Sequence, residues 1–341
     1  MRSYLGLSLL AIAATPAFAD KPIPTTTANI VDGEVSAYWD QSLSGGPGKD
    51  GIPSIDSPRF ISADLADDWL EGGDKIIGIY INGEARAYPQ SVLVWHEIVN
   101  DTVGGENVAV TYCPLTGTGI GYKRGETELG VSGRLVNSNL LMYDRHSDSY
   151  WPQILGAAAA GPHAGEGLVE QRVFWTRWDN WLARHPDTEV LSRRTGHVRN
   201  YRRDPYGGYN PRTGYYAEGS DRIFPVMNEN ERFDAKREIF GFRTSEEAVA
   251  VDMDALAEAG YLSYSGVSDD FLVIYDDGLE TAWVFRGQAS DFPEDPSAVS
   301  FGPSGPSAPG LQELDTVNGF EAMWFAWYAF YPMTVVLDGD E

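Results

Sequence analysis

An internal repeat is the feature that most constrains how this chain of 341 residues can fold. Three blocks of the first half align in the same order with three blocks of the second half, and the second copy is shorter between its last two blocks. The aligned pairs are residues 78–93 with 241–256, 108–113 with 271–276, and 178–191 with 324–337. Three matches in one order indicate a duplicated unit. The sequence therefore predicts an α+β, β-rich fold in which two degenerate repeats pack as one pseudo-symmetric unit.

The two halves differ at the residues that carry chemistry. The repeat alignment places His96 opposite Ala259, and it places Cys113, the only cysteine of the chain, opposite Asp276. Packing positions recur between the halves, whereas this pair does not. We therefore expect the first repeat to hold a functional site and the second repeat to be a structural companion.

Turn signals and apolar runs predict most elements of the first repeat. Asn82 and Gly83 separate two β-rich runs, which predicts a hairpin because both residues tolerate positive φ. The remaining predicted strands cover residues 108–113, 119–122 and 129–133, with the last two taken as a pair, and a second hairpin joins 140–144 to 149–153. Short helices are predicted over residues 62–70 and 176–184.

A further helix is predicted to begin at Pro89 and to end near Asn100. Val92, Trp95, His96 and Val99 recur at three- and four-residue spacing and would share its core-facing side. The strand that ends at Cys113 follows after a glycine turn. A helix packed on its own following strand would bring the imidazole and the thiol together.

The first 19 residues have the pattern of a secretory signal peptide. A positive start at Arg2 and an apolar run over residues 5–14 precede the small-residue ending Ala17-Phe18-Ala19. We therefore expect a periplasmic or secreted protein with no membrane span. Residues 20–58 are predicted to be an irregular N-terminal segment, 59–222 the first repeat with the site, and 223–341 the second repeat.

The formal net charge of −25 limits the partners of this protein. Nucleic acids and anionic membranes would repel so acidic a chain, so we expect no nucleic acid partner. The expected partner is a metal ion or a small molecule. A single cysteine excludes an internal disulfide, which leaves a buried filler, an intermolecular bridge, a metal ligand or a reactive thiol.

The leading hypothesis is a metal site. Neutral imidazole and thiolate are ligands suited to copper or zinc, and Cys113 with His96 supplies both. Met142, Asp144 and His146 are candidates for a third ligand. Cysteine, histidine and methionine together favour copper, whereas zinc more often takes a second cysteine or histidine. A redox or metal-handling role would follow.

Three alternatives remain open from the residues alone. Cys113 is a candidate nucleophile of a hydrolase or transferase, with His96 as base and Asn100 or Asp101 orienting the imidazole. In a structural reading, Cys113 and His96 are simply buried core residues. A non-catalytic binding role would use an aromatic surface for a glycan or another ligand, and its candidate tryptophans are Trp95, Trp151, Trp175, Trp178, Trp181, Trp324 and Trp327.

Several blocks in order resemble bacterial domain-of-unknown-function family 3179. They read YPQSVLVWHEIVND, VTYCPLTGT, NSNLLMYDR, ARHPDTEVLS and RDPYGGY, and the resemblance extends from about Ile52 to Leu337. Family motifs fall on His96, Glu97, Asn100, Asp101, Cys113, Pro114, Gly117, Asp144 and Arg145, which adds Arg145 to the catalytic candidates. Some relatives carry a second cysteine where Thr116 stands here, so a dithiol role is not expected. The resemblance implies a secreted protein and supplies no activity.

Overall fold

The computed structural model describes residues 22–339, and the predicted signal peptide lies outside them. Strands account for 40% of the described residues and helices for 14%, which confirms the β-rich α+β prediction. Within the described residues, every helix is too short or too polar to cross a membrane.

The elements of the first half are mostly short strands. These strands are β1 (Thr25–Thr27), β2 (Leu43–Ser44), β3 (Phe60–Ser62), β4 (Lys75–Ile81), β5 (Glu84–Pro89), β6 (Ile98–Val103), β7 (Glu106–Cys113), β8 (Thr118–Lys123), β9 (Leu129–Val136), β10 (Asn139–Asp144), β11 (Tyr150–Pro152), β12 (Glu166–Leu168), β13 (Glu170–Gln171), β14 (Phe174–Arg177), β15 (Glu189–Leu191), β16 (Gly207–Tyr209) and β17 (Arg212–Gly214). The helices are α1 (Val35–Asp40), α2 (Ala63–Ala66), α3 (Gln90–Leu93) and α4 (Trp178–Arg184).

The second half is also built mainly of strands. They are β18 (Glu238–Arg243), β19 (Ala248–Asp252), β20 (Tyr261–Ser265), β21 (Asp270–Asp276), β22 (Thr281–Gly287), β23 (Ser300–Gly302), β24 (Gly305–Ser307), β25 (Asp315–Val317), β26 (Gly319–Met323) and β27 (Val335–Leu337). The helices are α5 (Met253–Ala259) and α6 (Trp324–Phe330), and single 3₁₀ turns cover Ala289–Asp291, Pro296–Ala298 and Leu311–Glu313.

Five sheets of four or five strands form the body of the protein. In the first half the strand orders are β14-β4-β5-β15-β3, β13-β8-β7-β6 and β11-β10-β9-β2. In the second half they are β26-β18-β19-β27 and β20-β21-β22-β25. In each half one hairpin, β4–β5 or β18–β19, has a further strand on either side. The strand on one side is antiparallel and directly precedes a helix, and the strand on the other side is parallel and follows that helix.

Tryptophans of α4 and α6 pack in the same way on these hairpins. Trp181 lies over Gly78 of β4 so closely that a Cβ on this glycine would overlap its ring, and Trp327 lies over Gly241 of β18 in the same manner. Each indole also donates a hydrogen bond to a threonine hydroxyl beyond its helix, from Trp181 to Thr188 at 3.0 Å and from Trp327 to Thr334 at 2.9 Å. Only glycine allows such close packing of a ring on a strand.

The halves are joined by a shared core and by a buried ion pair. One apolar cluster contains Cys113 and Trp151 together with Trp324 and Trp327 of the second half. Arg184 donates to both carboxylate oxygens of Asp276 at 2.8 and 3.1 Å, and Asp276 is fully buried. The residue aligned with Cys113 therefore has a structural role in the second half.

Several sequence predictions are confirmed. The hairpin of β4 and β5 turns at Asn82 and Gly83, with φ of +49° and +88°. The strand that ends at Cys113 is β7, and the second hairpin pairs β10 with β11. The predicted helix over 62–70 is shorter, at α2, and the one over 176–184 begins two residues later, at α4.

Two predictions are wrong. The strands over 119–122 and 129–133 exist as β8 and β9 but do not pair with each other; β8 pairs with β7 and β13, and β9 with β10 and β2. The helix from Pro89 to Asn100 ends at Leu93, and residues 98–103 form β6, antiparallel to β7. The β-branched run Ile98-Val99 gains more from the ladder with β7 than from another helical turn.

Candidate functional site

His96 lies in the turn between α3 and β6 and is fully buried. Its Nδ1 is 2.7 Å from the Pro53 carbonyl oxygen, which can only accept, so Nδ1 carries the proton. Its Nε2, 2.7 Å from the Tyr201 hydroxyl, therefore accepts a hydrogen bond. Burial lowers the pKa of His96 to about 4, with the neighbouring His197 and Arg199 acting in the same direction. His96 is thus a neutral residue that holds Tyr201.

Cys113 lies at the end of β7 and is buried in the shared apolar core. Its Sγ is 3.8 Å from the Ser138 carbonyl oxygen. Burial, and then the nearby Glu97, raise the pKa of the thiol to about 11. A thiol with this pKa is almost entirely protonated at neutral pH, so it is a weak nucleophile and a weak metal ligand.

The structure gives His96 and Cys113 different hydrogen-bond partners. Among residues 22–339 no hydrogen bond joins them, and their neighbours belong to different apolar clusters, one containing Tyr201 and the other Cys113. The expected contact rested on a helix through His96, and that helix ends before it. Both ring nitrogens of His96 have other partners, so the structure shows no hydrogen bond through which His96 would activate the thiol, and the nucleophile role stays a prediction.

The three candidates for a third ligand lie in different surroundings. Met142 is buried in the core, whereas His146 is exposed. Asp144 is buried and accepts hydrogen bonds from the Ser147 backbone and hydroxyl at 2.6 Å and from the Trp151 indole at 3.1 Å. No group of three or more His, Cys, Asp or Glu residues in the described part of the chain is arranged to hold a metal ion. Copper or zinc binding stays a prediction, and the described residues do not provide an arranged set of ligands for it.

Asn100 and Asp101 do not orient His96, contrary to the sequence prediction. The Asn100 side chain bonds Asp56 at 2.7 Å and the backbone of Leu129 at 2.9 and 3.0 Å. Asp101 accepts from the Tyr88 hydroxyl at 2.6 Å. These residues instead fasten neighbouring strands.

Arg145 is engaged in the same polar network as Asn100. Its guanidinium donates to Asp56 at 2.6 Å and to the Ser54 hydroxyl at 2.9 Å. Asp56 is therefore shared by Asn100 and Arg145, and this network holds the segment before β3 against β6 and β10. The structure therefore gives Arg145 a structural role in this network.

Glu97, which lies at one of the family motif positions, combines a left-handed backbone with burial. It has a left-handed backbone, with φ of +60°, and only 7% of its surface is exposed. Burial raises the pKa of its carboxyl to about 8. A non-glycine residue in this conformation costs about 1–2 kcal/mol and commonly marks a functional site.

A cleft of about 500 Å³ opens beside Tyr201. Trp69 and Asp74 come from the segment before β4, Lys75 is the first residue of β4, and Gln90 and Ser91 start α3. The opposite wall is the long segment after β15, including the family block RDPYGGY, and it contributes Arg193, Tyr201, Arg202, Asp204, Tyr209 and Asn210. We call this the Tyr201 cleft. Its volume is in the range of small-molecule sites, about 300–1,000 Å³.

Hydrogen bonds fix the polar groups at the base of the Tyr201 cleft. The Gln90 amide donates to Asp204 at 2.7 Å, and the Tyr216 hydroxyl donates to the same carboxylate at 3.0 Å. The hydroxyls of Tyr112 and Tyr209 are 3.1 Å apart. Because these side chains are held by hydrogen bonds to one another, the cleft is largely preformed.

Aromatic rings line the Tyr201 cleft, though they are not those predicted from the sequence. Of the seven predicted tryptophans, six are buried in the core and Trp95 is half-buried with its indole bonded to the Arg203 carbonyl. The cleft uses Trp69, Tyr201 and Tyr209 instead. The Arg193 guanidinium lies 4.4 Å from the Trp69 ring centroid and so holds this ring in place.

The charges on the Tyr201 cleft balance, unlike those of the whole chain. Three acidic and three basic side chains line it: Asp68, Asp74 and Asp204, and Lys75, Arg193 and Arg202. A ligand of strong single charge therefore has no net attraction to the cleft. A neutral polar molecule fits it better.

Comparison with known proteins gives a family without an activity. The family model described as "Protein of unknown function (DUF3179)" matches residues 49–334. No curated protein and no solved structure matches the chain. The matched segment contains the Tyr201 cleft, Glu97 and Cys113. The chain therefore belongs to the DUF3179 family.

Proposed function

We propose that this protein binds a neutral polyhydroxylated ligand, such as one unit of a glycan, in the Tyr201 cleft. The observation that carries the proposal is the combination, in one preformed cleft, of Trp69, Tyr201 and Tyr209 with Gln90 and Asp204. Aromatic faces attract the C–H face of a sugar ring, and the amide and carboxylate groups pair with its hydroxyls. This is a binding role without a catalytic step.

His96 has a positioning role in this proposal. Its neutral imidazole accepts from the Tyr201 hydroxyl, and the Thr195 hydroxyl is 2.5 Å from the same oxygen. Two partners therefore fix the Tyr201 ring at the edge of the cleft. A rigid aromatic ring loses little entropy on binding, which favours affinity.

A ligand screen tests the proposal. The protein without affinity tag is titrated with a panel of neutral, acidic and amino-sugar glycans, and intrinsic tryptophan fluorescence and thermal unfolding are recorded. We expect at least one neutral glycan to shift both signals in wild type and to act much more weakly on Trp69→Leu. If no glycan shifts either signal, the proposal fails.

We also propose that the two halves are copies of one duplicated unit in which only the first retained the binding cleft. The equal strand orders around β4–β5 and β18–β19 support this. So do the pairs Trp181–Thr188 and Trp327–Thr334, which occupy aligned positions. The signal peptide pattern supports secretion or a periplasmic location.

A further inference from the structure

A second, smaller cavity has Glu97 in its wall. Its volume is about 90 Å³. Apolar side chains form most of its wall, with Ile52, Leu115, Val131, Leu140 and Phe224 among them, and Glu97 is its acidic group. We call it the Glu97 cavity.

The Glu97 carboxyl has no hydrogen-bond partner among residues 22–339, and burial alone accounts for its altered pKa. It is 93% buried, since 7% is exposed. A largely buried carboxyl that lines a cavity and has no protein partner calls for an explanation, such as a ligand that is bound in use. The left-handed backbone of Glu97 adds a second cost at the same residue.

The groups around Glu97 do not neutralise a negative charge on it. Arg134 also lines the cavity, but its guanidinium donates to the Ser42 backbone and hydroxyl, both at 2.8 Å, and lies over the Trp39 ring. The other titratable neighbours, Cys113 and Tyr206, are neutral at pH 7, because burial raises the pKa of both. Glu97 is therefore present as the uncharged acid, which has one donor and one acceptor.

We propose that the Glu97 cavity binds a small neutral amide, or the amide end of a larger molecule, paired with the Glu97 carboxyl. The amide carbonyl accepts from the acid O–H, and an amide N–H donates to the other carboxyl oxygen. Both polar groups of Glu97 are then satisfied. The size fits, because a cavity of about 150 Å³ holds benzene, so about 90 Å³ holds roughly three or four non-hydrogen atoms.

Other ligand classes fit the cavity less well. A purely apolar molecule would leave Glu97 unpaired. An ammonium ion would require two charges in an apolar wall, at a desolvation cost that their attraction rarely recovers. A carboxylate ligand would place its negative charge beside the Glu97 carboxyl with no cation to balance it.

Binding of simple probes tests the inference independently of the glycan proposal. Formamide, acetamide, ethylamine and acetate are titrated by NMR into wild type, Glu97→Gln and Glu97→Met. Glutamine keeps one donor and one acceptor, so we expect Glu97→Gln to bind the amides within about threefold of wild type. Methionine keeps the bulk without the hydrogen bonds, and we expect it to weaken amide binding at least tenfold.

Control variants separate the possible failures. Val131→Phe fills the cavity without touching Glu97 and is expected to abolish amide binding, which keeps the test valid if Glu97→Met does not fold. Trp69→Leu alters only the Tyr201 cleft and is expected to leave amide binding unchanged. The inference is overturned if no amide binds wild type, or if Val131→Phe binds amides as wild type does. It is also overturned if ethylamine is the tightest-binding probe and Glu97→Gln no longer binds ethylamine.

Discussion

The Nε2 atom of His96 lies 2.7 Å from the hydroxyl oxygen of Tyr201, 105 positions further along the chain. This bond links the buried turn after α3 to the wall of the Tyr201 cleft. A histidine that was a candidate ligand or base is therefore a buried support for the wall of this cleft. Its neutral state follows from burial, which lowers its pKa to about 4.

Removing the Tyr201 hydroxyl tests this support. Tyr201→Phe leaves the ring in place but leaves the His96 imidazole without its donor, so we expect the free energy of unfolding to fall by about 1–2 kcal/mol. Urea denaturation at pH 7 measures the change. Tyr261→Phe, at a site that is 37% exposed, is the control and should change stability by less than about 0.5 kcal/mol. Equal effects of the two variants would contradict the support role.

The pKa of Glu97 makes stability depend on pH. Because burial raises this pKa from 4.5 to about 8, the folded state keeps a proton that the unfolded state releases between these values. The contribution of Glu97 to stability is full below pH 4.5 and falls as pH rises to about 8, by at most about 5 kcal/mol. Glu97→Gln lacks this titration, so the variant should gain stability relative to wild type over the same interval.

Paired urea titrations of wild type and Glu97→Gln at pH 4.5, 6 and 8 measure this difference. Subtracting the two curves removes the titration of His96 and His185, since both proteins share it. A difference that stays constant with pH would mean that Glu97 is not held as a neutral acid.

Cys113 should be unreactive in the folded protein. A thiol pKa of about 11 leaves about one thiolate in a thousand at pH 8, and the sulfur is only 1% exposed. We expect iodoacetamide to label native protein at least a hundredfold more slowly than protein in concentrated urea. Mass spectrometry of timed samples gives both rates. Labelling of native protein at the unfolded rate would restore Cys113 as a candidate nucleophile.

Replacing either glycine beneath the two tryptophans with alanine should lower the stability of the protein by a similar amount. A Cβ at Gly78 would overlap the Trp181 ring and one at Gly241 the Trp327 ring, so we expect each alanine variant to lose about 3 kcal/mol. Gly219→Ala, where a Cβ would have no neighbour within 4 Å, is the control. Thermal unfolding compares the three variants. If Gly78→Ala destabilises and Gly241→Ala does not, the halves do not share this packing.

Local turn chemistry was readable from the sequence where two adjacent residues determine the backbone. Asn82 and Gly83 tolerate positive φ, and they form the predicted hairpin turn. The strand that ends at Cys113 was predicted because its side chains alternate between two faces. In both cases the local preference and the tertiary pairing agree.

The segment from Leu93 to Ile98 shows why the site was not predictable. Its spacing is compatible with a helix, but the decisive interaction is the ladder between β6 and β7, which depends on residues 106–113. Glu97 adopts its left-handed backbone between α3 and β6, and the conformational preference of glutamate alone does not indicate this. The cleft depends on Tyr201 meeting His96, a contact of long sequence separation that a pattern cannot indicate.

The most direct test of the binding role compares two tryptophans that resemble each other. Trp69 and Trp39 are both half-buried, and each has an arginine over its ring, at 4.4 and 5.0 Å, but only Trp69 lines the Tyr201 cleft. Calorimetric titration with the best glycan of the screen should give a Kd at least tenfold weaker for Trp69→Leu and unchanged within about twofold for Trp39→Leu. A Trp69→Leu variant that binds as tightly as wild type would contradict the assignment of the cleft.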